Sequence, residues 1–184
     1  MEDAMTDTTR APLTFSFFPD VASFEVSSND VTDGESLSNA QVADIMGYTG
    51  ENKSPQLSWS GFPASTKSFA VTVHDPDAPT GSGFWHWLAV NIPVNVCEVA
   101  TGAGSPTGEQ LPDDVLQLRN DAGTIGYVGA APPPGDPPHR YVHTVHALDV
   151  ERLDVDANTS AAVVGFNLRF HAIARAQIVP VFGS

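Results

Sequence analysis

The chain has 184 residues, 41 % of them hydrophobic, with a single cysteine and a formal net charge of −14 at pH 7. That length and apolar share specify one globular domain with a real core, while a lone Cys97 excludes an internal disulfide and any cysteine-rich metal site. Only eight lysines and arginines stand scattered against 22 acidic residues, which argues against nucleic acid as a partner, since phosphate backbones need clustered cations, and weakens attachment to anionic membranes. One small anion stays admissible, because a few local donors outweigh a global field.

Residues 1–12 are polar and aperiodic and are expected to form a disordered leader to a domain spanning 13–184. The acidic start Met1-Glu2-Asp3 lacks the basic and apolar regions of a signal peptide. No apolar run approaches the roughly 20 residues that cross a bilayer. A cytoplasmic, not membrane-spanning, protein is expected. Phe15, Phe17 and the Phe24–Val26 pair alternate with smaller or polar residues and predict short strands, and Asp33-Gly34 predicts a turn. Asn39 to Met46, closed by Gly47, has a cap, a brief apolar stripe and a stop, and reads as a short helix. Gln56 to Ser60, between Pro55 and Gly61, reads as a strand.

Phe69, Val71 and Val73 alternate with Ala70, Thr72 and His74, as in a strand with one core face, and parity puts Asp75 on the Phe69–Val73 side. Phe84 to Ile92 is apolar on both faces apart from His86 and Asn91, which suits a central strand covered on both sides. Tyr141 to Val150 is a third long β-prone run. Thr159 or Ser160 can cap a helix through Ala161, Val164, Leu168 and Ala172 towards Ala176, and Pro180 stops it or a following short strand. The connections are rich in proline and glycine, without βαβ rhythm or repeats. The fold expected is mainly β, mostly antiparallel, with a terminal helix packed on it.

Asp75-Pro76-Asp77-Ala78-Pro79 is the sharpest feature. Prolines push the residues before them towards extended geometry, and in an extended chain Asp75 and Asp77 project to one side. Neighbouring carboxylates repel, so donors or a cation must compensate, or one stays protonated; alternatively both cap backbone N–H groups in an aspartate-rich turn. His86 shares strand parity with Leu88 and Val90, and His139 opens a strand after the rigid loop Pro132 to Pro138. His74, His143, His146 and His171 read as structural. Asp75, Asp77, His86 and His139 could satisfy zinc or iron, but they match no ligand motif such as HExxH, so no metal or cofactor is expected. Nor is there a GxSxG nucleophile elbow.

Taken together, several segments resemble the phosphatidylethanolamine-binding protein family, and within it the bacterial Raf-kinase-inhibitor-like branch. They are Ser54-Pro55-Gln56-Leu57-Ser58-Trp59, Ser68 through Pro79, Phe84 through Pro93, Leu118-Arg119-Asn120-Asp121, Gly126-Tyr127-Val128-Gly129, Pro132 through Tyr141 and Gly165-Phe166-Asn167-Leu168. The resemblance spans roughly residues 15–183. It implies a central antiparallel β-sheet with a second small sheet and a C-terminal helix. It also implies a pocket for a small anion or a phosphoethanolamine headgroup, built on Asp75, Asp77, His86, Pro132, His139 and Tyr141.

In such a pocket His86 and His139 would donate to phosphoryl oxygens, more strongly when protonated, so affinity would rise as pH falls. Backbone N–H groups around Gly129 and Ala130 would form a nest for the anion. Two departures stand out: the loop Thr80 to Gly83 is shorter than in animal members, and Pro137 stands where glycine is usual. The reading is a ligand-binding protein without turnover. Its rivals are an inhibitor of a kinase or protease acting through protein contacts, and a hydrolase or isomerase on a phosphorylated metabolite. The branch also raises a homodimer, with Trp85 or Trp87 at an interface unless they are core residues.

Overall fold

Long runs of β-branched and aromatic residues build the centre of the fold. The computed structural model describes residues 10–183. In chain order its strands are β1 (Ala22–Ser23), β2 (Glu25–Ser27), β3 (Leu57–Ser60), β4 (Ser68–Asp75), β5 (Phe84–Pro93), β6 (Glu98–Val99), β7 (Leu116–Gln117), β8 (His139–Arg140), β9 (Val142–Leu148), β10 (Ala172–Ile178) and β11 (Val181–Phe182). The helix α1 (Ala161–His171) lies between β9 and β10. The main sheet has the order β1-β10-β9-β4-β5-β7, antiparallel except where β1 runs parallel to β10. Two small sheets, β2-β3-β6 and β8-β11, accompany it. The mainly β fold with a C-terminal helix is as expected, and no helix among the described residues is long and apolar enough to cross a membrane.

Both faces of the main sheet are buried. Phe69, Val71, Val73 and Trp87 pack with Leu57 and Trp59 of the β2-β3-β6 sheet. On the opposite face Ala70, Leu88, Val90 and Leu148 pack with Val164 and Leu168 of α1. This corrects the expectation that β4 has one core face: Ala70 and Thr72 are as inaccessible as Val71. The polarity of that second face is met inside the protein, because Thr72 Oγ1 lies 3.1 Å from His146 Nε2. Trp87 is a core residue whose Nε1 donates to Gln117, and Trp85 is half-buried beside Phe15.

Three expected elements differ. Phe15 and Phe17 lie in a turn, not a strand; Phe15 takes a left-handed backbone conformation and its ring enters the helix-side core, while Phe17 points outward. The helix expected over Asn39 to Met46 is a single 3₁₀ turn, Asn39–Gln41, capped by Ser38. Val42 then extends to bridge Ala130, leaving Ile45 and Met46 exposed. The C-terminal helix stops at His171 rather than running towards Ala176, because Ala172, Ala174, Ala176 and Ile178 bury every second position and join the sheet beside β9. Of the leader expected over residues 1–12, residues 1–9 lie outside the described residues. Arg10 and Ala11 contact Asp77 and Arg140.

The connection between β4 and β5 is held closed by Gly83. Its φ is +70°, and a Cβ there would sit 2.5 Å from the Asp75 carbonyl oxygen and 2.6 Å from His74 Nε2. Gly83→Ala is expected to destabilise the protein by about 2 kcal/mol, from left-handed strain plus displaced backbone. Urea unfolding checks this; an unchanged midpoint would contradict it.

Candidate functional site

The pairing of β4 with β5 slips twice, between Phe69 and Val71 and again between Val73 and His74, and the second slip shapes the site. Val73 opposes Trp87 and His74 opposes Trp85, so His86 is an extra residue in β5. Such a bulge re-aims side chains. Trp85, Leu88 and Val90 pack on the helix side of the sheet, whereas His86 turns to the other side and lies 5.2 Å, ring to ring, from Tyr141. The shared face expected for His86, Leu88 and Val90 is thereby corrected. The bulge delivers the imidazole to a cleft at the end of the sheet.

β4 ends at Asp75, and Pro76-Asp77 form a turn rather than continuing the extended stretch, so the two carboxylates take different partners. Asp75 Oδ1 accepts the backbone N–H groups of Asp77 at 2.8 Å and Ala78 at 3.0 Å. Its other oxygen, Oδ2, lies 2.7 Å from His139 Nδ1. Burial pushes the Asp75 carboxyl above its ordinary pKa, against the opposing effect of His139. Asp77 instead accepts from Arg140 Nε at 2.8 Å, Nη2 at 2.7 Å and the backbone N–H at 2.9 Å. Burial works against the Asp77 charge, but these bonds outweigh it and hold the carboxyl below its usual range. Asp77 is therefore engaged outside the cleft, contrary to its expected place beside Asp75.

Asp75, His86, Gly129, Pro132, His139 and Tyr141 line one cleft of about 220 Å³. Ala130 does not: it is fully buried and its N–H donates to Gln41. The Gly129 N–H is engaged as well, by Asn52 Oδ1 at 2.7 Å. The backbone nest expected at Gly129 and Ala130 is thus closed to an anion. Sequence reasoning missed Phe84, Pro79 and the exposed Ile45 and Met46 at the cleft. Phe84, two residues from His86 on one strand, was the only one with a parity signal.

His86 Nδ1 donates to the Val128 carbonyl at 2.8 Å. Burial lowers its pKa to about 4, so at neutral pH the ring is uncharged and Nε2 is an acceptor. That corrects the expected imidazolium donor at this position. His139 Nε2 lies 3.3 Å from Asp136 Oδ2 at the rim, so both of its nitrogens face carboxylates. Burial first, and the Asp75 charge second, push the Tyr141 hydroxyl far above its ordinary pKa, and it stays protonated. Among the described residues no hydrogen bond to it is found. The cleft therefore combines one unengaged O–H donor, one imidazole acceptor and one carboxylate–imidazole pair. Among the described residues no three His, Cys, Asp or Glu side chains converge as a metal site would require.

A mainly antiparallel central sheet with two small sheets and a single terminal helix is the architecture of the phosphatidylethanolamine-binding fold, and comparison with known proteins agrees. The family model described as phosphatidylethanolamine-binding protein matches residues 27–183. UPF0098 protein YbhB of Escherichia coli (strain K12) is 54 % identical over 155 residues, covering 84 % of this chain and 97 % of YbhB. UPF0098 protein YbcL of the same organism is 48 % identical over 182 residues, covering 99 % of this chain and 98 % of YbcL. The crystal structure of E. coli YbcL, described as a new member of the mammalian PEBP family, matches with a TM-score of 0.86 at 50 % identity, covering 89 % of this chain and 99 % of that one. The chain belongs to the phosphatidylethanolamine-binding protein family.

Four histidines that burial holds below their ordinary pKa, His74, His86, His143 and His146, make stability depend on pH, and two of them illustrate it. His143, whose Nδ1 donates to the Tyr141 carbonyl, is lowered by burial to about 4, as His86 is. Unfolded, both rings titrate near ~6.5, so below that pH the unfolded chain binds protons that the native one does not. Their contribution is complete above pH ~6.5 and is lost as pH falls towards 4. Asp75, raised rather than lowered, acts in the opposite direction. Urea unfolding across pH 4–7 is expected to lose on the order of 1–3 kcal/mol per ring, with a shallower slope in His143→Phe. A flat profile would contradict the neutral, buried state of both rings.

Proposed function

We propose that the protein binds, without turnover, a small group that both accepts and donates hydrogen bonds, of which phosphoethanolamine is the type. The observation that carries this reading is the Tyr141 hydroxyl, a protonated donor without a partner among the described residues, in a cleft that also holds the His86 acceptor. Phosphoryl oxygens would accept from the Tyr141 hydroxyl, beside His139 in the same cleft. A P–O–H or ammonium group would donate to His86 Nε2. A bare dianion suits the cleft less well, since the backbone donors nearby are engaged. A cleft of about 220 Å³ fits a headgroup and not a whole lipid. The family's name and the name of its mammalian members agree with this chemistry.

Titration calorimetry at pH 7 with O-phosphoethanolamine and with inorganic phosphate tests the proposal. Phosphoethanolamine is expected to bind more tightly than phosphate. Tyr141→Phe should weaken it roughly 10-fold or more, as for a lost hydrogen bond to a charged group. Equal binding of the two, or a Tyr141→Phe variant that binds as wild type, would count against it.

A further inference from the structure

We propose that a cavity on the helix side of the main sheet is a second binding site, for a long-chain carboxylate. The cavity measures about 660 Å³ and shares only Thr80 with the cleft lining. His74 and Trp85 line it because they have the opposite strand parity to Asp75 and His86. Its inner wall is apolar in effect. Thr14 Oγ1 donates to His74 Nδ1 at 2.7 Å, and His74 Nε2 donates to the Ser82 carbonyl at 3.0 Å. Burial lowers the His74 pKa, so that ring adds no charge. Phe15, Phe18 and Trp85 supply the rest of the wall.

The floor is one face of α1, formed by Ala161, Ala162 and Gly165. A Cβ built on Gly165 meets nothing within 4 Å. Glycine inside a helix is unfavourable relative to alanine, and no packing within the protein requires it here; the missing side chain leaves room for another molecule. Phe17 and Phe166, 77 % and 64 % exposed, stand at the mouth. Apolar aromatic rings held open to water in this number mark a binding surface.

Charge selects the occupant. Among the described residues Arg169 is the one charged side chain that lines the cavity. It is exposed at the end of α1, with its guanidinium 5.6 Å from the Phe170 ring centroid. In a chain of net charge −14 the long-range field repels anions, so a cation at the mouth of an otherwise apolar cavity matches one local negative charge. An apolar body inside and a carboxylate at Arg169 fit both features.

The test titrates the full chain by calorimetry with dodecanoate and dodecyltrimethylammonium, both well below their micelle concentrations. Dodecanoate is expected to bind one per chain, at least 10-fold more tightly than the ammonium analogue. Arg169→Gln should reduce that preference to less than about twofold. Gly165→Leu should weaken dodecanoate at least 10-fold by filling the floor, without lowering the unfolding midpoint, since leucine is the better helix former. Absence of dodecanoate binding would overturn the proposal, as would retention in Gly165→Leu. An unchanged preference in Arg169→Gln, or a sedimenting dimer of this face that excludes dodecanoate, would overturn it too.

Discussion

The Asp75 carboxylate joins the two walls of the cleft. One oxygen closes the turn after β4 by accepting the N–H groups of Asp77 and Ala78, and the other holds His139 at the start of β8. A buried polar pair of this kind is a poor source of net stability, because desolvation offsets attraction. It is a strong source of geometry, because removing either partner leaves the other without its hydrogen bond in the interior at a cost of about 1–3 kcal/mol. Next to it Asp77 pairs with Arg140. Two acidic residues separated by Pro76 at the end of β4 are matched by the consecutive His139 and Arg140 of β8, and the repulsion between the aspartates is relieved by sending them to different partners.

With that frame in place, the bulge in β5 decides what the cleft offers. A regular strand would have pointed His86 under the helix with Leu88 and Val90. The extra residue turns it towards Tyr141, where burial keeps it neutral and the Val128 carbonyl fixes its tautomer. Tyr141 is kept protonated by the same burial and by the Asp75 charge. The result is an acceptor and a donor side by side, in a chain whose overall charge repels anions. Under the proposed function, recognition would rest on matched hydrogen bonds rather than on a cationic field.

Much of this was legible in the sequence. Alternation of apolar residues located β4, and continuous apolarity located β5. The proline-bounded aspartates and the His139-Arg140-Tyr141 run lie where the two loops meet. What was hidden depends on contacts between distant segments. A one-residue slip in pairing leaves no trace in the pattern of β5 itself, and the engagement of the Gly129 N–H depends on Asn52, 77 residues away. Two misreadings had visible signals. Ala172 to Ile178 alternates with period two, which disfavours helix, and Arg140 has the parity opposite to His139, which offered Asp77 a partner away from the cleft.

The account turns on the neutral state and tautomer of His86. Long-range nitrogen–proton correlation NMR on uniformly ¹⁵N-labelled protein, with His86→Gln for assignment, reads both directly. The structure predicts a protonated Nδ1 and a bare Nε2 at pH 7, with the charged ring forming only as pH approaches about 4. A ring protonated on both nitrogens at pH 7, or one carrying its proton on Nε2, would contradict the donor and acceptor roles assigned to the cleft.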